Sequence, residues 1–124
     1  MTQYLTLAHA GVLVRDLPSA LAFYCGVLGM PLNRDRPDLG YPGAWLDVGA
    51  QQIHLLELPN PDPITGRPAH AGRDRHLAVH IHHLDTLKNQ LQQAGIVYTL
   101  SRSGRRALFC RDPDGNALEF IEAG

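Results

Sequence analysis

RHLAVHIHHL, residues 75–84, reads as a strand running straight into a helix. Leu77, Val79 and Ile81 alternate with His76, Ala78 and His80, the period-two pattern of a strand with one apolar face. Leu84 then opens LDTLKNQLQQAG (84–95), where Leu84, Leu87, Leu91 and Ala94 fall on one helical stripe and Gly95 closes it. Four histidines crowd this stretch, and their directions differ. His76 and His80 share the face away from the helix, whereas His82 and His83 fall at the strand end and helix entry, where solvent is expected.

The same pattern occurs near the N-terminus. LAHAGVLV (7–14) is a strand with His9, Gly11 and Leu13 opposed to Ala10, Val12 and Val14. ALAFYCGVLG (20–29) is a helix with Leu21, Tyr24, Cys25 and Leu28 on one stripe, Asp16 or Ser19 to serve its first amides, and Gly29 at its end. Leu17 follows His9 by eight positions, as Leu84 follows His76. AWLDVG (44–49) and QQIHLLEL (51–58) are strands in the first half; IVYTL (96–100), RALFC (106–110) and NALEFIE (116–122) are strands in the second. The last two are joined by Arg111-Asp112-Pro113-Asp114-Gly115, a turn in which proline presets φ and glycine takes the left-handed position.

Superposed, IHLLE (53–57) falls on LEFIE (118–122), which matches His54 with Glu119 and Glu57 with Glu122. His9 precedes His54 by 45 residues and His76 precedes Glu119 by 43. The chain therefore reads as one α+β domain of two tandem βαβββ modules, about 5–58 and about 75–122. The proline-rich PNPDPITGRPAHAGRD (59–74) breaks all periodicity and is read as a linker over the surface.

Strand parity puts His9, His54, His76 and Glu119 on faces turned away from the helices. If those faces form a common trough, three imidazoles and a carboxylate converge. That donor set suits one divalent ion of the Zn, Ni, Mn or Fe(II) type better than Ca or Mg, which prefer oxygen shells. His80, two residues along from His76, is the candidate helper for proton transfer beside Glu119. Tyr41 and Trp45, in YPGAW, are candidates for an aromatic substrate wall, although core packing is the ordinary expectation for Trp45. Arg102, Arg105 and Arg106 lie near the expected cavity mouth, where Arg102 and Arg105 are candidate substrate contacts.

Composition narrows the partners. A formal net charge of −1 over 124 residues gives no electrostatic reason to expect nucleic acid or an anionic membrane. No apolar run reaches the roughly 18 residues of a membrane span. MTQYLTLAHA lacks a basic segment followed by an apolar one, so no secretory signal and a cytoplasmic location are expected. Cys25 and Cys110 are then expected as reduced, buried thiols.

HAGVLVRDLPSALAFYCGVLGM (9–30), RHLAVHI (75–81) and above all DPDGNALEFIE (112–122) resemble the vicinal oxygen chelate superfamily, the glyoxalase/bleomycin-resistance/extradiol-dioxygenase group, across nearly the whole chain. The resemblance implies paired βαβββ modules forming a U-shaped, partly open barrel cavity around one divalent metal, with ligands at His9, His54, His76 and Glu119. It implies a small substrate chelated through vicinal oxygens, a lyase or isomerase chemistry with a metal-stabilised enediolate or alkoxide, and a homodimer, some family sites being built from both subunits. His54 stands where bacterial glyoxalase I usually has glutamate and methylmalonyl-CoA epimerase glutamine. Leu13 replaces the arginine with which glyoxalase I grips glutathione, so a glutathione substrate is not implied. Fosfomycin-resistance proteins keep a His-His-Glu triad that this chain could satisfy. Two alternatives share the fold: a ligand-sequestering protein like those of bleomycin resistance, and an Fe(II) extradiol dioxygenase using His9, His76 and Glu119 with His54 dispensable.

Overall fold

The computed structural model describes residues 1–124 and contains two mixed four-stranded sheets, one from each half of the chain. The first half runs β1 (His9–Val14), α1 (Leu17–Leu21) continuing into a π-helical segment (Ala22–Val27), β2 (Leu32–Asn33), β3 (Gly43–Val48) and β4 (Gln51–Glu57). The second half repeats this order as β5 (His76–Ile81), α2 (Leu84–Gln93), β6 (Thr99–Leu100), β7 (Ala107–Arg111) and β8 (Ala117–Glu122). Strand orders are β1-β4-β3-β2 and β5-β8-β7-β6, parallel only in β1–β4 and β5–β8. Neither sheet closes on itself, so the architecture is open rather than a sealed barrel.

The duplication holds at single residues. Gly11 lies opposite His54 as Ala78 lies opposite Glu119, and Trp45 and Phe109 flank the same two positions from the next strand. Glu57 Oε2 accepts from Leu17 N at 2.7 Å, and Glu122 Oε2 accepts from Leu84 N at 2.8 Å. The last strand of each module thus binds a free first-turn amide of that module's helix.

Inward faces of both sheets close on one core. Val14, Leu46, Ile53 and Leu55 from the first sheet join Leu108, Leu118 and Phe120 from the second in a single buried cluster. Phe23, Tyr24, Leu84, Leu87 and Leu91 from the helices complete it. Each fully buried side chain of this kind contributes about 1.5–3 kcal/mol. The Asp112–Asn116 turn ties the halves together: Tyr24 Oη donates to Asp112 Oδ2 at 2.7 Å, and Arg15 N and Nε donate to Asp114 Oδ1 at 3.0 Å. Asn116 Nδ2 reaches Leu13 O at 3.1 Å.

The largest differences from the sequence reading are at the first helix, at IVYTL and at β2. The first helix begins at Leu17, where Asp16 caps Ser19 N, and at Phe23 it widens, Leu28 N bonding Phe23 O at 2.9 Å. The wider turn carries Phe23 and Tyr24 into the core side by side. IVYTL keeps only Thr99–Leu100 as strand, because Ile96 and Tyr98 pack against the core instead of pairing. Strand β2, two residues long, has no alternation that a sequence could display. The linker is structured: Ala71 packs on Phe109 and Ala117 over the outer face of the second sheet, and Arg67 and Arg111 both clasp Asp74. No helix is long and apolar enough to cross a membrane.

Candidate metal and substrate site

Each module presents a donor pair on the face away from the helices. In the first module the rings of His9 and His54 stack at 3.8 Å and 13°, and Trp45 covers the other face of His54 at 4.6 Å and 10°. Trp45 is therefore half-buried on the outer face and not in the core, contrary to the ordinary expectation, since β3 parity places it beside His54. Gln52 Nε2 donates to Asp47 Oδ1 at 3.2 Å, an oxygen it shares with Asn33 Nδ2. The amide nitrogen of Gln52 being so committed, its oxygen accepts, and His54 Nε2 donates to it at 2.9 Å. Burial first, then the charges of His9 and Arg36, hold His54 below the usual imidazole range. The ring is neutral near pH 7, the form a metal ligand requires.

In the second module Glu119 is 2% exposed, an ionisable group buried on a sheet face. Its Oε1 lies 3.4 Å from His76 Nε2 and its Oε2 3.2 Å from Arg105 Nη2. His76 Nδ1 lies 2.8 Å from Asp74 O, and a carbonyl only accepts, so Nδ1 carries a proton. In the neutral ring Nε2 then turns a lone pair toward a carboxylate oxygen. Two electron-pair donors facing each other at this distance are satisfied by a proton or by a cation between them. A histidine whose second nitrogen donates to a backbone carbonyl is the arrangement in which metals are commonly bound.

The remaining candidates sort themselves by position. His80 is exposed on the face of His76 and makes no hydrogen bond to Glu119; with His9 and His76 it borders a hollow of about 560 Å³ between β1 and β5. Tyr41 lies beneath the Arg36 guanidinium, 5.1 Å from ring centre to Cζ. Arg102 is exposed in its turn, while Arg105 Nε is held by Ser103 Oγ at 3.1 Å. Arg106 leaves the site for the helix side, where it meets Glu122 at 2.7 Å and Asp85 at 3.5 Å. Within one chain the four donors remain two pairs, and no three come close enough to enclose one ion. Neither Gln52, which strand parity sets on the face of His54, nor Arg36 was among the candidate site residues. Parity with His54 could have found Gln52; nothing local marks Arg36.

Residues 6–120 match the family model of the Glyoxalase/Bleomycin resistance protein/Dioxygenase superfamily. The chain belongs to this superfamily. The resemblance carried by its histidine strands and DPDG turn is thus borne out. It is 31% identical over 120 residues to Glyoxylase I 4 of Arabidopsis thaliana, covering 93% of this chain and 69% of that one. It is 30% identical to the uncharacterized protein YaeR of Escherichia coli K12, covering 92% and 93%. A glyoxalase family protein from Bacillus anthracis superposes over the full length of both chains with a TM-score of 0.80 at 26% identity. The fold is also that of the fosfomycin resistance protein FosX from Listeria monocytogenes, TM-score 0.78 at 16% identity over 98% and 95% of the chains. That structure is an E126Q mutant complexed with Mn(II) and 1S,2S-dihydroxypropylphosphonic acid.

Proposed function

We propose that this superfamily member is a divalent-metal-dependent enzyme of the glyoxalase type, acting on a small substrate through two neighbouring oxygens. We further propose that it works as a homodimer in which His9 and His54 of one copy meet His76 and Glu119 of a second. One observation carries the reading: His76 Nε2 and the buried Glu119 carboxylate face each other at 3.4 Å while Asp74 O holds the opposite nitrogen. The separation of the donor pairs supports the shared site, as does Leu7, an apolar side chain 78% exposed that lines the same hollow as His9 and His76.

Bound there, the ion supplies Lewis-acid stabilisation of negative charge on a substrate oxygen, an effect worth several kcal/mol. The chain's own residues do the rest. Asp74 O fixes the ring of His76 and Gln52 that of His54, while His9 and Trp45 sandwich the latter. Glu119, screened from water, is the group to take and return a proton at Oε2, the oxygen turned toward Arg105 rather than His76.

The first test is the metal content of untagged protein purified without chelator, beside His76→Ala. Near-stoichiometric metal in wild type, lost in the variant, is expected; wild type that takes up none of Zn, Ni, Mn or Fe(II) sinks the proposal. Sharing between copies is tested by mixing a His9→Ala/His54→Ala double variant with a His76→Ala/Glu119→Gln double variant. Each alone is expected empty, and the mixture to regain metal, since a mixed dimer rebuilds one intact site. No regain places the site within one chain.

A further inference from the structure

The loops joining the second and third strands of the two modules each bring an arginine to the site. Arg105, between β6 and β7, lies against Glu119 at 3.2 Å. Arg36, between β2 and β3, lies against Gly43, which shares the outer face of β3 with Trp45, the residue stacked on His54. Each module thus brings one arginine, on the loop before its third strand, toward the face that carries its candidate donors. Arg36 is the more telling of the pair. It is half-buried and meets no carboxylate, whereas the other half-buried arginines, Arg67 and Arg111, both clasp Asp74. Its contacts are Tyr41 O at 2.9 Å and the Tyr41 ring, and its guanidinium sits where a Cβ on Gly43 would come within 2.8 Å of Nη2. A half-buried guanidinium held by a carbonyl and an aromatic ring, with no carboxylate beside it, is open to an anion.

We infer that Arg36 and Arg105 form a duplicated anion-binding pair and that the substrate is a small oxyacid, carrying a carboxylate or phosphonate beside its chelating oxygens. The planar fork of arginine suits either group. Arg105 is balanced by Glu119 in the free chain; once that carboxylate serves a divalent ion, the guanidinium is released to an incoming anion. Two guanidiniums and a divalent ion against one carboxylate leave the site positive, which disfavours a neutral substrate. This inference rests on the metal site proposed above.

The test uses the Mn(II)-loaded protein and calorimetric titration, with the emission of Trp45, the single tryptophan, as a second readout. Oxalate, phosphonoacetate and neutral hydroxyacetone are the probes. Expected is binding of at least one anion well above hydroxyacetone, weakened about tenfold or more in Arg36→Met and in Arg105→Met, as loss of a charge-assisted hydrogen bond implies. Hydroxyacetone binding is unchanged in both variants. The tighter anion names the group. Arg36→Lys, which keeps charge but loses the fork, is expected in between, and Mn(II) uptake by each variant shows that it is folded. If all proteins take up Mn(II) but anions bind no better than hydroxyacetone, or both arginine variants bind them like wild type, the inference is overturned and the metal site stands. If wild type takes up no metal, the metal site itself falls, and this inference with it.

Discussion

His54 is gripped on both faces, by His9 and Trp45, and along one edge by Gln52. Because burial, and after it the neighbouring His9 and Arg36, hold it below its ordinary 6.5, the unfolded chain takes up this proton before the folded one does. Its linkage therefore removes stability as pH falls below about 6.5 and adds nothing above it. Trp45 emission is expected to titrate with a midpoint below 6.5, and the transition to vanish in His54→Gln; a midpoint at or above 6.5 refutes the shielding. Tyr24 makes a second residue-scale prediction. Its hydroxyl is a donor to Asp112, a carboxyl that burial pushes above its usual range. Tyr24→Phe removes that donor and should cost about 1–3 kcal/mol in urea unfolding, the penalty for leaving a buried acceptor without its partner. At this scale the matching outward placement of His54 and Glu119 was legible because the repeat pairs them. Arg36 was not, since its place is set by the carbonyl and ring of Tyr41 in an irregular loop that has no period to read.

The helices differ in how they are started. Asp16 caps Ser19 in α1 and Glu57 adds a bond to Leu17, whereas α2 opens at His83 with φ of 55° and no capping side chain, so Glu122 alone serves it. Glu57→Ala should cost about 1 kcal/mol. Glu122→Ala should lower the melting temperature further, since it also releases Arg106. Equal losses at the two positions would contradict this account. In the π-helical segment Gly26 has negative φ and open space where a Cβ would point. Gly26→Ala should therefore raise stability by about 0.5–1 kcal/mol, read as a higher melting temperature. Long alternating strands and the α2 stripe were readable because side-chain period follows backbone geometry. Strand β2 and the widened turn at Phe23 were not, being too short to have a period and set by what the core needed to fill.

Both modules share one buried cluster and the Asp112–Asn116 turn crosses between them, so neither half holds a core of its own. Unfolding should be a single transition, with Trp45 emission, reporting the first module, coincident with far-ultraviolet dichroism, reporting both. Two separate midpoints would mean independent modules. The sequence by itself determined the duplication and the parity of each strand, and so that His9, His54, His76 and Glu119 stand on the outer faces, because these follow from the local periods of helix and strand and from residue types repeated at matched spacing. Only the tertiary structure decided that the linker roofs the second sheet, that Trp45 stacks on His54, and that the donors stand as two pairs within one chain. Those outcomes depend on how two sheets and two helices share a single core, which fixes the separation and tilt of the outer faces, and no local period carries that information.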